Sequence, residues 1–529
     1  MNYRLLCRLL GIICLLLGGT MIFSLPFANQ FLSQRSLPID PIPVDQVASA
    51  ERHGVFGLSA SMLICAACGI VLMLIGRGTR GNTLYRKEAM AVVGLSWILA
   101  TVLGALPYYL GGVEIVDGQP ITFVEAMFEA QSGFSTTGAT VLTNLHDPRM
   151  VPCCLLFWRS WTHFLGGLGI IVLFVAVLGQ GSAGKAMMRA EMPGPTKEGS
   201  MPRMQQTALN FAGLYIGCNI LLTIVYYLEN MTLFDSLCHA FGTMATGGFS
   251  TYNGSLGEFD SATIEYTTIL FMILAGTNFT LLYLTLIGDW KKILRDVEFR
   301  TYVGIITLVT AGIVFFGMQY SDHQFDDFAS SLRFGLFTVV SVLTTTGYGT
   351  ADFDQWNNFG RGVLLLIMFV GGCAGSTGGG MKVIRHVLLY KILRLEIEKA
   401  HHPRVVRPLR VSGVTVEDAD LAKNILVYFC LILAIFAFSW LAIVTWEPDS
   451  TWGPTTSSTL DEKLLDSASI VAATLNNIGP GLGVVGATKN YSGFSQGSKF
   501  LFVWLMMLGR VEVFSVLVLI SPRFWRSGG

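Results

Sequence analysis

Four short glycine-bearing loops, each set between apolar segments, constrain this chain more than any other feature. They are Ser135-Thr136-Thr137-Gly138-Ala139-Thr140, Ala245-Thr246-Gly247-Gly248-Phe249-Ser250, Thr344-Thr345-Thr346-Gly347-Tyr348-Gly349-Thr350 and Leu475-Asn476-Asn477-Ile478-Gly479-Pro480-Gly481. Irregular backbone at membrane depth survives only where it is buried in protein or lines a watery cavity, because lipid offers its polar groups no partner. The third loop contains Thr-x-Gly-Tyr-Gly, in which glycine permits positive φ. Successive carbonyl oxygens can then face one axis and replace the water around a hard monovalent cation. A lone Gly-Tyr-Gly would equally suit a tight turn. One carbonyl-rich loop cannot surround an ion, whereas four can.

The 529 residues are 52% hydrophobic and 13% charged, which marks a polytopic membrane protein rather than a soluble domain. The 35 basic and 35 acidic residues cancel, so net charge gives no sign of a nucleic-acid partner and only the placement of charge informs. Cys65-Ala66-Ala67-Cys68 has redox or zinc spacing but sits in an apolar run without nearby ligands, as packed, reduced thiols would.

Arg4 and Arg8 precede the apolar run 10–26, which could pass for a signal peptide. No small-x-small cleavage site follows and a second span, 55–75, comes soon after, so 10–26 is expected to be a retained helix. The basic cluster Arg77, Arg80, Arg86 and Lys87 then places the amino terminus and this loop in the cytoplasm. From Ala89 one unit recurs: a span, a short helix, a glycine loop and a second span. Expected spans are 89–110 and 152–178, then 208–227 and 267–287, then 302–318 and a broken span from 362, then 421–444 and 500–520. The expected divisions are 1–88 for the amino-terminal pair, 89–204, 205–298, 299–410 and 411–529. Lys185, Arg189, Lys197 and Arg203 follow the first unit, and Lys291, Lys292, Arg295 and Arg300 the second. After the third come Lys382, Arg385, Lys391, Arg394, Lys399, Arg404, Arg407 and Arg410, with Arg523 and Arg526 at the end. Basic inter-unit segments put the glycine loops outside, both termini inside, and ten spans with four re-entrant hairpins between.

Thr122-x-x-Glu125, Thr232-x-x-Asp235 and Thr459-x-x-Glu462 read as starts of the short helices, and Asp326 with Asp327 opens the third. Acidic starts leave the negative, carbonyl ends of these helices facing the glycine loops, where a cation would be held.

The run 371–380, Gly371-Gly372-Cys373-Ala374-Gly375-Ser376-Thr377-Gly378-Gly379-Gly380, breaks a span, since each glycine costs a helix roughly 1 kcal/mol relative to alanine. It lacks the Gly-Lys-Ser/Thr of a phosphate loop and is expected to be an intramembrane loop below the glycine cage, a candidate gate. Arg159 and Arg510 lie within spans, where ionisable residues face protein or water. Arg510 would act as a barrier or as a tether for the loop, with Glu512 a possible structural partner. Arg159 has snorkelling or an interhelical ion pair as alternatives. His163 and His239 lack companion ligands and are expected to pack or hydrogen-bond.

Assembled, the chain resembles the membrane subunit of the Trk-type bacterial potassium uptake systems, in the Trk/Ktr/HKT superfamily. The resemblance rests on Thr137-Gly138-Ala139-Thr140, Gly247-Gly248-Phe249-Ser250, the run from Gly371 to Lys382, Ala472 to Gly481, and Gly509-Arg510-Val511-Glu512. It spans nearly the whole chain, and the two extra amino-terminal spans favour the Trk over the shorter Ktr branch. It implies an all-α fold of four pseudo-symmetric repeats around one pore in the bacterial inner membrane, usually as a homodimer amid membrane lipid. It implies K+ as transported ion, no organic cofactor, and a cytosolic TrkA-like nucleotide-binding regulatory ring. The implied ion site comprises Thr137, Gly138, Thr246, Gly247, Thr346, Gly347, Asn477, Ile478 and Gly479. Of the two glycines in the second loop, Gly247 is favoured as the aligned one. The implied gate comprises Gly371, Gly372, Gly375, Ser376, Thr377, Gly378, Gly379, Gly380 and Arg510. A sodium- or proton-coupled symporter is the alternative within transport. An intramembrane serine or histidine enzyme would leave four repeated glycine loops unexplained.

Overall fold

The structure, a computed structural model, describes residues 1–37, 43–78, 86–169, 204–319, 325, 327–403, 410–411, 414–415, 421–452, 457–511 and 513–525. The basic residues Arg80, Lys185, Arg189, Lys197, Arg203, Arg404, Arg407 and Arg526 and the acidic Asp326 and Glu512 lie outside them.

A helix needs about 20 apolar residues to cross a bilayer. Among the described residues six helices meet this: Tyr3–Ala28, Val44–Ile75, Lys87–Leu110, Ala208–Leu228, Val297–Gln319 and Leu421–Trp446. The first two form a hairpin against the first unit. Gly57 lies so near Gly111 that a Cβ would sit 2.5 Å from its Cα. Glu51, from the same hairpin, accepts the backbone N–H groups of Cys153 (2.5 Å) and Cys154 (3.3 Å), satisfying donors that a helix start leaves free.

The second helix departs from expectation in the second and fourth units. Only the third was expected to break, yet the second bends by 103° between Ala262–Ala275 and Phe279–Leu286. The cause is local: Asn278 accepts the N–H of Thr280 at 2.8 Å and so begins a new helix. In the fourth unit Gln496–Arg510 stops and Val513–Ile520 resumes. In the first, Cys153–Leu168 ends at Gly169, with φ 71°, and the expected continuation to 178 lies outside the described residues. The third divides into Asn358–Ile367 and Val383–His401 around the glycine run.

The short helices are Phe123–Phe134, Leu233–Met244, Phe328–Leu343 and Ser457–Leu475. Thr122 and Glu125 form the expected capping box, Thr232 accepts from the N–H of Asp235, and Asp327 accepts from that of Ser330. Thr459 is not a start, because the helix already runs from Ser457 and a threonine inside a helix has no free N–H ahead of it to cap. Among the described residues the strands form two small antiparallel ladders, Glu114–Val116 with Gln119–Pro120 and Arg410–Val411 with Val414–Thr415.

Candidate ion site and gate

Each short helix runs into its loop by the same backbone path. Thr136, Thr246, Thr345 and Asn477 take left-handed φ of 54°, 55°, 60° and 56°, and two residues on Gly138, Gly248, Gly347 and Gly479 take 81°, 75°, 80° and 94°. The intervening N–H groups reach back five residues, Thr137 to Ser132, Gly247 to Gly242, Thr346 to Ser341 and Ile478 to Ala473, at 2.7–2.9 Å. This corrects the register of the second loop: Gly248 aligns with the other three glycines, and Gly247 aligns with Thr137, Thr346 and Ile478. Gly247 differs from Gly248 in that its φ is not left-handed.

The four loops abut in a cycle. A Cβ on Gly138 would collide with the Gly247 carbonyl oxygen, on Gly248 with that of Thr346, and on Gly347 with that of Ile478; on Gly479 it would lie 2.5 Å from that of Thr137. Positive φ and close approach therefore both demand glycine at these positions. Gly138, Gly248, Gly347 and Gly479 line one cavity, with Tyr252 and Lys489 on its wall. Asn477 ties the fourth loop in, donating to Thr137 Oγ1 at 3.0 Å and to the Met506 carbonyl at 2.8 Å, and Tyr491 donates to the Gly479 carbonyl at 2.7 Å.

A buried pair braces the first two loops from behind. Arg159 Nε contacts Glu129 at 2.5 Å, its Nη1 donates to the Ser250 carbonyl at 2.8 Å, and its guanidinium lies 3.5 Å from the Phe249 ring centre. Glu129 in turn accepts from Thr140 Oγ1 and from the N–H of Val141 at 3.1 Å. Of the alternatives for Arg159, the ion pair is the one present. At the rim, Asp354 accepts the N–H of Gly483 at 2.7 Å and faces Lys489 at 3.4 Å; burial raises its carboxyl pKa, against the lowering effect of these two partners.

The run 371–380 packs directly against the third and fourth loops. Gly379 N–H donates to Thr345 Oγ1 at 2.8 Å, and Cβ atoms on Gly378 and Gly380 would meet the carbonyl oxygens of Thr344 and Asn476 at 3.0 and 3.1 Å. Gly371 bonds the Met381 carbonyl, the Gly372 carbonyl accepts from Val383, and that of Gly375 accepts from Phe279. Ser376 N–H donates to the Cys373 carbonyl, and Thr377 Oγ1 to the Ala275 carbonyl at 3.2 Å. Arg510 holds the run from another unit, donating to the carbonyls of Thr377 and Gly166, each at 2.6 Å. Two further charges act on it. Buried Lys382 donates to the Gly378 and Gly379 carbonyls, and Glu298 Oε1 accepts the N–H of Ala374 at 2.7 Å and of Ile384 at 3.0 Å. His239 hydrogen-bonds the Asp235 carbonyl and Ser250 Oγ, as expected for it.

The sequence profile of a cation transport protein family, TrkH, matches residues 60–527. This chain belongs to the TrkH family. The Trk system potassium uptake protein TrkH of Salmonella typhimurium is 34% identical over 531 residues, covering 99% of this chain and 100% of that one. TrkH of Escherichia coli is 33% identical over 533 residues with the same coverage. The crystal structure of the potassium transporter TrkH from Vibrio parahaemolyticus superposes with a TM-score of 0.80 at 30% identity, over 99% of this chain and 100% of that chain.

Within this TrkH-family chain, Glu129, Glu298 and Lys382 are among the charged residues whose contacts sequence reasoning did not foresee. The rule that singled out Arg159 and Arg510 does not reach the two carboxylates, because Glu129 lies in a short helix and Glu298 between Arg295 and Arg300, outside the expected span 302–318. Lys382, one of the basic residues after the third unit expected to face the cytoplasm, is instead buried against the glycine run.

Proposed function

We propose that the chain carries potassium ions across the bacterial inner membrane through the cavity lined by Gly138, Gly248, Gly347 and Gly479, with backbone carbonyls of the four loops replacing the ion's hydration shell. The observation that carries this is the closed cycle itself: four glycines of left-handed φ, one per unit, each against the carbonyl of the next loop. The names of the full-length relatives supply the ion. In this reading the four units at 89–204, 205–298, 299–410 and 411–529 are pseudo-repeats around one pore, the residues from Thr137 to Gly138, Gly247 to Gly248, Thr346 to Gly347 and Asn477 to Gly479 form the ion site, and 371–380 is the gate held by Arg510. Both termini and Lys291, Lys292, Arg394 and Lys399 face the cytoplasm, where a nucleotide-binding regulator docks, and the chain pairs as a homodimer.

The test is ion flux into proteoliposomes holding the full chain, comparing potassium, rubidium and sodium under an imposed potential. Potential-driven uptake favouring potassium and rubidium is expected. Uptake that appears only with a sodium or proton gradient would replace passive passage by coupled transport. Equal sodium and potassium flux would defeat the selective site.

A further inference from the structure

Gly247 is glycine at a position where the other three loops carry side chains, Thr137, Thr346 and Ile478, each fully buried. Its backbone does not require this, since its φ is not left-handed. Space does. A Cβ at 247 would stand 2.5, 2.6 and 2.7 Å from Nδ1, Cε1 and Cγ of His163, well inside van der Waals contact. His163 is fully buried on Cys153–Leu168, and its ring stacks on Phe249 of the same loop with centroids 4.0 Å apart and planes 15° apart. Phe249 is held in turn by the guanidinium of Arg159, one helical turn before His163.

We propose that the imidazole of His163 supplies, from the first unit, the side chain that position 247 lacks, and that it is a positioning residue for ion selectivity. The inference rests on the potassium-translocation reading above. The carbonyl of Gly247 abuts Gly138, so the position of 247 sets the spacing between the first two loops. Glycine is the residue with the greatest backbone freedom, and without a wedge behind it this edge of the cage is free to widen. Interiors fill such volumes closely, and a void left by truncation relaxes only in part. A wider cage discriminates less against the smaller sodium ion.

The exchange of side chains gives a reciprocal test. The full chain in proteoliposomes is assayed for its sodium-to-potassium permeability ratio, with folding followed by size-exclusion profile. His163→Ala is expected to raise the ratio several-fold. Gly247→Thr alone, with the ring still in the way, is expected to lose selective flux. His163→Ala/Gly247→Thr is expected to return the ratio toward that of the unmodified protein. A His163→Ala protein with unchanged ratio, or a double variant no better than the two single ones, would overturn the proposal. If His163→Ala does not fold, the double variant decides: a folded, selective double variant supports the exchange, and a misfolded one refutes it. Unmodified protein that passes no potassium selectively would sink the translocation reading instead, so the two failures are distinct.

Discussion

Arg510 Nη1 and the carbonyl oxygen of Thr377 lie 2.6 Å apart, joining the helix Gln496–Arg510 of the fourth unit to the glycine run of the third. The other guanidinium nitrogen donates to Gly166 at the end of a helix in the first unit, so one side chain fastens three units. Hydrogen bonds to a charged group contribute about 1.5–3 kcal/mol each, and roughly 1.4 kcal/mol is tenfold in an equilibrium. Arg510→Ala is expected to raise basal rubidium uptake by about tenfold or more, and Arg510→Lys, which cannot span both carbonyls as a planar fork does, by less. Unchanged uptake in Arg510→Ala would remove the tether from the gate.

Glu298 acts on the same run from its opposite polar groups. One carboxylate oxygen accepts N–H groups from Ala374, inside the run, and Ile384, in the helix after it, so it ties the run to that helix. Glu298→Ala leaves two buried donors unsatisfied, a loss of about 1–3 kcal/mol per group. Glu298→Gln keeps an acceptor oxygen. Cys373, 1% exposed within the run, reports on the difference. Its labelling by a membrane-impermeant maleimide, mapped by peptide mass spectrometry, is expected to accelerate in Glu298→Ala and to change much less in Glu298→Gln. Equal labelling in all three proteins would show that Glu298 does not hold the run closed.

What could be seen in the sequence was local. Thr122 with Glu125 and Thr232 with Asp235 lie within four residues of one another, and a cap depends on little else. The same spacing at Thr459 misled, because Ser457 and Ser458 extend the helix past it. The break at Asn278 was hidden because Gly276-Thr277-Asn278 is short and the apolar run continues on both sides. Of two adjacent glycines the sequence reading favoured the wrong one for the second loop's register, which the left-handed φ of Gly248 and the bond from Gly247 to Gly242 fix instead. Glu298 stands 76 positions from Ala374, and no pattern in one sequence announces a contact of that range.

Arg159 and Glu129 are both buried, and removing one member of such a pair costs about 3–5 kcal/mol because the other charge is stranded. Arg159→Met is therefore expected to lower the thermal midpoint in detergent sharply, and Arg159→Met/Glu129→Gln to recover part of the loss. A double variant no more stable than Arg159→Met would mean that the pair is not coupled in this way.

Gly347 and Gly349 stand two residues apart in the third loop, yet they answer to different constraints. Gly347 has φ 80°, and a Cβ there would collide with the Ile478 carbonyl and lie 2.9 Å from Pro480 Cδ. Serine at 347 thus meets both an unfavourable backbone conformation and the wall of the neighbouring loop, and must push the fourth loop outward. Gly349 has no left-handed φ, and a Cβ there would lie 3.0 Å from the Ala487 methyl and 3.2 Å from its carbonyl oxygen, tight contacts but no collision. Gly347→Ser is expected to lower the preference for potassium over sodium, measured as a reversal potential with the two ions on opposite sides of the bilayer, while Gly349→Ser changes it less. If Gly347→Ser keeps the full preference, the third loop does not shape the ion site; if both variants lose it equally, the loss comes from general loosening of the loop rather than from the contact with Ile478.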